Sequence, residues 1–97
     1  MQCSKSDLEQ YLVENRIYFE DRYLNNWVVC KDGFTFSVQG SSWHYSHPRN
    51  DGDSYTHYEV GYPSEEPQYI EMEDTVAPWV PVDVVLGEIN FHGGLDV

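Results

Sequence analysis

Three of the four histidines, with two aspartates between them, are the residues of this chain whose types and spacing most resemble a metal site. His44 and His47 form a His-x-x-His pair, and Asp51, Asp53 and His57 follow on the same stretch. Neutral imidazoles and carboxylates are donors that zinc accepts. The spacing matches no established zinc signature, and the two cysteines form no Cys-x-x-Cys pair. The pattern therefore favours solvated loop histidines, with a small metal-dependent enzyme as the alternative.

No other motif in the chain is typical of catalysis. Residues 50–54 read Asn-Asp-Gly-Asp-Ser, but the bidentate Glu that closes a calcium loop at its twelfth position is missing. Neither a nucleophile elbow nor a glycine-rich phosphate loop is present. We therefore expect a protein that is not an enzyme and that carries no metal or other cofactor.

Charge is segregated along the chain. Residues 50–97 carry eleven carboxylates and no Lys or Arg, a balance of −11, whereas residues 1–49 carry six acids against five bases, a balance of −1. A field of that sign repels nucleic acid and membrane surfaces and attracts basic protein surfaces. The expected partner is therefore a basic protein, with no direct nucleic-acid or membrane binding. The five bases are Lys5, Arg16, Arg22, Lys31 and Arg49.

The acidic residues are densest between positions 59 and 74. Duplex DNA presents one negative charge per about 1.7 Å of its axis, so a rigid row of carboxylates can compete for the Lys and Arg groove of a nucleic-acid-binding protein. The sequence thus predicts a partner-binding surface of the kind that a DNA mimic presents, while a solvated acidic face that serves solubility is the alternative. The predicted surface residues are Glu59, Glu65, Glu66, Glu71, Glu73 and Asp74, with Tyr62 and Tyr69.

Aromatic residues allow two further interpretations. Trp43 and Tyr45, close to Arg49, could stack bases in a single-strand binder, but five bases against seventeen acids disfavour binding to phosphate. Aromatic side chains are also enriched at the centres of protein interfaces. We therefore expect interface anchors among Trp43, Tyr45, Tyr62, Tyr69 and Trp79.

Two helices are predicted, one near each end of the chain. Ser6-Asp7-Leu8-Glu9 fits a capping box, and Leu8, Tyr11 and Leu12 form an apolar stripe that ends near Asn15. The second helix begins at Pro81 and ends before Gly93-Gly94. Its apolar stripe consists of Val82, Val85, Leu86 and Ile89.

Three strands, and a fourth of weaker signal, lie between the helices. Residues 27–30 and 34–39 flank the Lys31-Asp32-Gly33 turn and predict a hairpin, and residues 57–62 predict a third strand that Pro63 stops. Residues 69–72 are the candidate fourth strand, at the sheet edge, while residues 17–26 remain ambiguous. The predicted fold is a single α+β domain over residues 1–97, a small antiparallel sheet packed with an N-terminal and a C-terminal helix.

Composition also bears on the compartment. No apolar run approaches the roughly 20 residues that span a bilayer, and the N-terminal residues lack the layout of a signal peptide. Cys3 and Cys30 are too few for a disulfide framework, so we expect them to stay thiols. These features predict a soluble cytosolic protein.

Several segments together resemble small uncharacterised proteins of bacteriophages and prophages. They are residues 27–34, 37–39, 44–49, 59–64, 80–82 and 92–94. The resemblance implies no reaction, cofactor or catalytic residue, but it does imply a context, the host cytoplasm. Small acidic phage proteins include inhibitors of host-defence nucleases, among them anti-CRISPR proteins, some of which are DNA mimics. The resemblance therefore implies an inhibitor of a basic, nucleic-acid-binding host protein. The alternative is a phage accessory or structural interaction protein.

Overall fold

The computed structural model describes residues 2–97 and has an α+β fold, as the sequence predicts. A two-stranded sheet pairs β1 with β2, and an antiparallel four-stranded sheet has the order β3-β4-β5-β6. No helix within residues 2–97 is long and apolar enough to cross a membrane. The elements are α1 (Lys5–Glu14), β1 (Arg16–Phe19), β2 (Arg22–Asn25), β3 (Val28–Val29), β4 (Thr35–Gln39), β5 (His57–Gly61), β6 (Val76–Pro81) and α2 (Val82–Phe91).

Helix α1 begins one half-turn earlier than predicted, because its cap is Ser4 and not Ser6. The Ser4 hydroxyl accepts from the backbone N–H of Asp7, and the Asp7 carboxylate accepts from the backbone N–H of Ser4. These bonds hold the pKa of Asp7 below its usual value. The earlier start lets the Cys3 backbone bond to the Asn90 side chain of α2 in both directions, at 2.7 and 3.2 Å. This contact joins the two helices.

The apolar stripe of α1 is confirmed. Leu8 and Leu12 are buried, and Tyr11 packs against the core while its hydroxyl donates to the Trp27 carbonyl. The helix ends at Glu14 with Asn15 as its C-cap, also as predicted.

The ambiguous residues 17–26 lie in a short hairpin, β1–β2. Its turn uses Glu20 at φ 57°, a conformation that few residues other than glycine adopt readily. The Arg16 guanidinium stacks on the Tyr23 ring at 4.0 Å and pairs with Asp53 at 2.9 Å. These contacts attach the hairpin to the long loop between β4 and β5.

The predicted central hairpin and third strand are confirmed. Strands β3 and β4 pair antiparallel, and Phe34, Phe36 and Val38 are buried. Strand β5 buries Tyr58 and Val60, as the alternation of apolar and polar residues requires. These side chains face one core that also contains the inward stripes of both helices.

The fourth strand is not where the sequence predicted it. Residues 69–72 have no strand structure, and the fourth strand is β6, Val76–Pro81. Pro78 is unfavourable inside a strand, but β6 is an edge strand and its pairing with β5 is interrupted by a register shift. At that shift Trp79 has φ 50° and donates its N–H to the Tyr45 carbonyl.

Helix α2 directly follows β6. Val85 and Ile89 are buried and Leu86 is partly buried, so the predicted stripe is confirmed. The helix ends at Phe91, and the next turn uses Gly93 and Gly94 at φ 90° and 95°, as the glycine pair predicted. Glu88 also lies on this inward face. The sequence did not predict its burial, yet it is 0% exposed.

Candidate functional site

Residues 63–75 form an irregular segment between β5 and β6 that we call the acidic loop. All five of its carboxylates are exposed. Within residues 2–97, the only ion pairs of Lys or Arg are Lys5 with Glu9 and Arg16 with Asp53, so none reaches this loop. The loop therefore presents uncompensated negative charge to solvent. Its carboxylates are Glu65, Glu66, Glu71, Glu73 and Asp74.

The acidic loop is held by the buried carboxylate of Glu88. Its Oε1 accepts from the backbone N–H groups of Tyr69 (2.8 Å) and Ile70 (3.3 Å), and its Oε2 accepts from that of Gln68 (2.9 Å). Burying a carboxylate is costly unless hydrogen bonds replace its water. Here three consecutive backbone N–H groups supply those hydrogen bonds. Because all three donate to the Glu88 carboxylate, that carboxylate fixes the path of the loop.

A histidine extends this network to the turn between β3 and β4. His92 Nε2 lies 3.0 Å from Glu88 Oε2, and Nδ1 lies 2.6 Å from Asp32 Oδ2. The imidazole also stacks on the Phe34 ring, with centroids 3.9 Å apart and planes 2° apart. The Phe34 backbone N–H, followed by the His92 side chain, holds the pKa of Asp32 below its usual value. A chain of polar contacts thus runs from the β3–β4 turn through α2 to the acidic loop.

Both ends of the acidic loop are also fixed. Ser64 and Thr35 exchange two hydrogen bonds, at 2.8 and 3.0 Å, and Glu73 forms a backbone bridge with Val76. Between these ends, Ile70 is buried in the core. The loop is therefore anchored at its start, middle and end although it has no regular secondary structure.

The five carboxylates border a row of adjoining surface hollows. The first hollow, beside Tyr62, shares Glu66 with the second, beside Gln68. The second hollow shares Glu71 with the third, beside Trp79. The shared residues make the three hollows neighbours, so all five carboxylates line one contiguous set of hollows. The first hollow includes Glu65, Glu66, Asp74 and Tyr62, the second Glu66, Glu71 and Tyr69, and the third Glu71, Glu73, Tyr69 and Trp79.

Both predicted tyrosines lie on this surface. Tyr62 is 58% exposed and Tyr69 is 54% exposed. Tyr62 has φ 50° and lies just beyond the end of β5, so the inward alternation of that strand does not extend to it. Tyr69 packs edge-on against Phe91, which fixes its ring while leaving half of it exposed.

Glu59 is the one predicted carboxylate that lies outside the acidic loop. It lies on β5, half-buried, and its Oε1 accepts from the Tyr45 backbone N–H at 3.1 Å. It lines a different hollow, together with Trp27, Trp43 and Tyr62. Glu59 therefore supports the neighbouring loop, and only Tyr62 borders both this hollow and the acidic loop.

The three loop histidines do not converge on one point. His44 is buried, its Nδ1 lies 2.6 Å from Ser41 Oγ, and burial lowers its pKa, so the prediction of a solvated side chain is wrong for this residue. His47 and His57 form an edge-on ring pair, with centroids 6.0 Å apart. Within residues 2–97, the three-donor group close enough for one ion is instead Asp32, Glu65 and His92.

Arg49 and the aspartates of the long loop have structural contacts. The Arg49 guanidinium lies over the Tyr45 ring at 5.1 Å, Asp51 accepts from the Ser42 backbone N–H, and Asp53 pairs with Arg16. Of the remaining predicted anchors, Trp43, Tyr45 and Trp79 are between 41% and 52% exposed.

Comparison with protein families, with curated proteins and with solved structures finds no match to this chain.

Proposed function

We propose that this chain is a non-catalytic, phage-type acidic protein of the anti-CRISPR kind, which acts in the host cytoplasm. It binds and inhibits a basic, nucleic-acid-binding host protein, and the acidic loop occupies that partner's nucleic-acid groove. The observation that carries the proposal is that five exposed carboxylates line neighbouring hollows of the acidic loop, with no Lys or Arg paired to them within residues 2–97.

Charge complementarity supports this class of partner. A row of fixed negative charges resembles the phosphates for which a basic groove is built, and it speeds association with that groove. A carboxylate that already had a cationic neighbour would have to lose it on binding. The loop carboxylates have no such cost, because none has a Lys or Arg within ion-pair distance among the described residues.

The fixed path of the loop supports binding and not merely solubility. A flexible acidic segment loses conformational entropy when it binds, whereas a segment already held in place loses less. Glu88 fixes the middle of the loop, and the bonds between Ser64 and Thr35 fix its start. Acidity that serves only solubility needs no such attachment.

Tyr62 and Tyr69 are suitable anchors for the interface. Tyrosine contributes a large contact area with few rotatable bonds, and buried tyrosines are frequent hot spots. The two rings border opposite parts of the row of hollows, so a partner that covers the carboxylates also covers both rings.

A second candidate function rests on the β1–β2 hairpin. Ile17, Tyr18 and Phe19 are 47%, 66% and 45% exposed on consecutive positions of β1. Exposed apolar residues in a cluster mark contact surfaces. This observation favours an accessory or structural interaction protein whose acidity serves solubility and whose partner is apolar.

The two candidates can be separated by capture of partners from a bacterial lysate treated with nuclease. The loop variant replaces Glu65, Glu66, Glu71 and Glu73 with Gln. The matched control replaces four exposed acids elsewhere, Glu14→Gln, Glu20→Gln, Asp21→Asn and Asp96→Asn, and has the same net charge. A third variant, Tyr18→Ser with Phe19→Ser, removes apolar surface from the hairpin.

The proposal predicts a nucleic-acid-binding protein that is captured at about 50 mM salt and released at about 500 mM, where screening is several-fold stronger. The loop variant loses this protein, while the charge control and the hairpin variant retain it. Equal loss in the loop variant and the charge control would mean that net charge alone is responsible. Loss only in the hairpin variant would establish the second candidate.

A further inference from the structure

Three metal-ligating side chains from distant parts of the chain meet at one edge of the acidic loop. Asp32 comes from the β3–β4 turn, Glu65 from the acidic loop and His92 from the end of α2. One ligand atom from each lies within 4.8 Å of those from the other two. We propose that these three residues bind one divalent transition-metal ion, and that zinc is the ion that fits best.

The donor set favours this class of ion. One imidazole nitrogen with two carboxylate oxygens suits zinc and its first-row neighbours, whereas calcium and magnesium prefer oxygen donors alone. Zinc holds such ligands at about 2.0 to 2.2 Å and accepts three protein ligands with water in the remaining position. Asp32 and Glu65 are exposed, so an ion can enter from solvent.

The surroundings of His92 resemble those of a metal-ligating histidine. Such a residue usually donates its second ring nitrogen to a carboxylate, which fixes the tautomer and the ring direction. His92 Nε2 faces Glu88 Oε2 at 3.0 Å, and the stacked Phe34 ring fixes the imidazole plane. His92 is only 4% exposed, yet its Nδ1 is directed at the exposed Asp32.

Binding requires a small local change. His92 Nδ1 and Asp32 Oδ2 are 2.6 Å apart, closer than two ligands of one zinc ion, and the proton of a hydrogen bond lies between them. The ion replaces that proton, which is released to solvent, and the two atoms move apart. The backbone N–H of Phe34 retains Asp32 by its other oxygen, Oδ1, at 2.9 Å. This inference stands on the cluster alone and does not require the proposed function.

The test is calorimetric titration of the chelator-treated protein with Zn²⁺, together with Co²⁺ absorption spectroscopy to detect a nitrogen ligand. The ligand variants are Glu65→Gln and Asp32→Asn. The controls are Glu66→Gln, the neighbouring exposed acid outside the cluster, and His57→Gln, in the histidine loop. Glu65 is exposed, and its side chain makes no hydrogen bond or ion pair within residues 2–97, so Glu65→Gln remains folded.

The proposal predicts one equivalent of bound Zn²⁺, and an affinity that falls by at least about tenfold in Glu65→Gln and in Asp32→Asn. Glu66→Gln and His57→Gln bind as the unmodified chain does. Absence of stoichiometric binding would overturn the proposal. So would equal affinities of Glu65→Gln and Glu66→Gln, or a loss of affinity confined to His57→Gln.

Discussion

Replacement of Glu88 should destabilise the fold and release the middle of the acidic loop. In Glu88→Ala, the backbone N–H groups of Gln68, Tyr69 and Ile70 all lose their acceptor, and His92 loses one of its two carboxylates. Removing one partner of a buried charged network costs about 3 to 5 kcal/mol. Even the lower end of this range is a large part of the free energy of unfolding of a typical domain, which is about 5 to 15 kcal/mol.

The conservative variant Glu88→Gln should lose less stability than Glu88→Ala, because its side chain keeps one acceptor oxygen. The amide oxygen can keep the place of Oε1 and accept from Tyr69 and Ile70. The amide nitrogen then replaces Oε2, where it can donate to a neutral His92 Nε2 but faces the N–H of Gln68 and leaves that donor unpaired. One buried donor without a partner costs about 1 to 3 kcal/mol.

Two measurements check this prediction. In a domain of this size, each kcal/mol lowers the Tm by about 4 °C or more, so Glu88→Ala should melt at least about 12 °C lower. Amide hydrogen exchange at Gln68, Tyr69 and Ile70 should accelerate more than exchange in β4 or β5. The control, Glu71→Gln, changes an exposed acid of the same loop and should stay within about 0.5 kcal/mol of the unmodified chain. If Glu88→Gln were as stable as that control and its loop amides remained protected, Glu88 would not be the anchor.

Four other predictions concern groups outside this network. Tyr58→Phe should be neutral or stabilising by chemical denaturation, because the buried Tyr58 hydroxyl has no hydrogen-bond partner among residues 2–97. Tyr55→Phe should cost about 1 kcal/mol, because the Tyr55 hydroxyl donates to the Asn50 carbonyl at 2.7 Å, and equal stabilities of the two variants would contradict this. Burial raises the pKa of Cys3 to about 11 and of Cys30 to about 12, so a thiol reagent at pH 8 should label them only after unfolding, and rapid labelling of the native chain would contradict it. The Tm should rise between low and moderate salt, because screening reduces repulsion among the unpaired acids, and an unchanged Tm would contradict uncompensated repulsion.

The sequence predicted those elements whose signal is local. Alternation of Phe34, Phe36 and Val38 predicted the central hairpin, and the spacing of Val85 and Ile89 predicted α2. Such periodicities depend only on which side of a strand or helix each residue faces. The exposure of the acidic loop also followed from composition, since unpaired carboxylates stay in water.

Strand β6 and the burial of Glu88 depend on tertiary contacts, which the sequence does not show. Strand β6 was missed because Pro78 is unfavourable in a strand, and only its pairing with β5 shows that an irregular edge accommodates it. Glu88 was missed because charged residues are rarely buried. A signal was present, since Glu88 lies three residues after Val85 and four before His92, on the inward face of the helix. The sequence could not show which donors satisfy the Glu88 carboxylate, because the three backbone N–H groups come from a loop 18 to 20 residues away.

Competition with duplex DNA tests whether the acidic loop occupies a nucleic-acid groove, as we propose. The captured partner would be bound to a labelled DNA duplex and titrated with the chain, and the complexes would be resolved by size. We expect mutually exclusive binding, with displacement of DNA by the unmodified chain and not by the variant that carries Gln at Glu65, Glu66, Glu71 and Glu73. A stable ternary complex of partner, DNA and chain would contradict it.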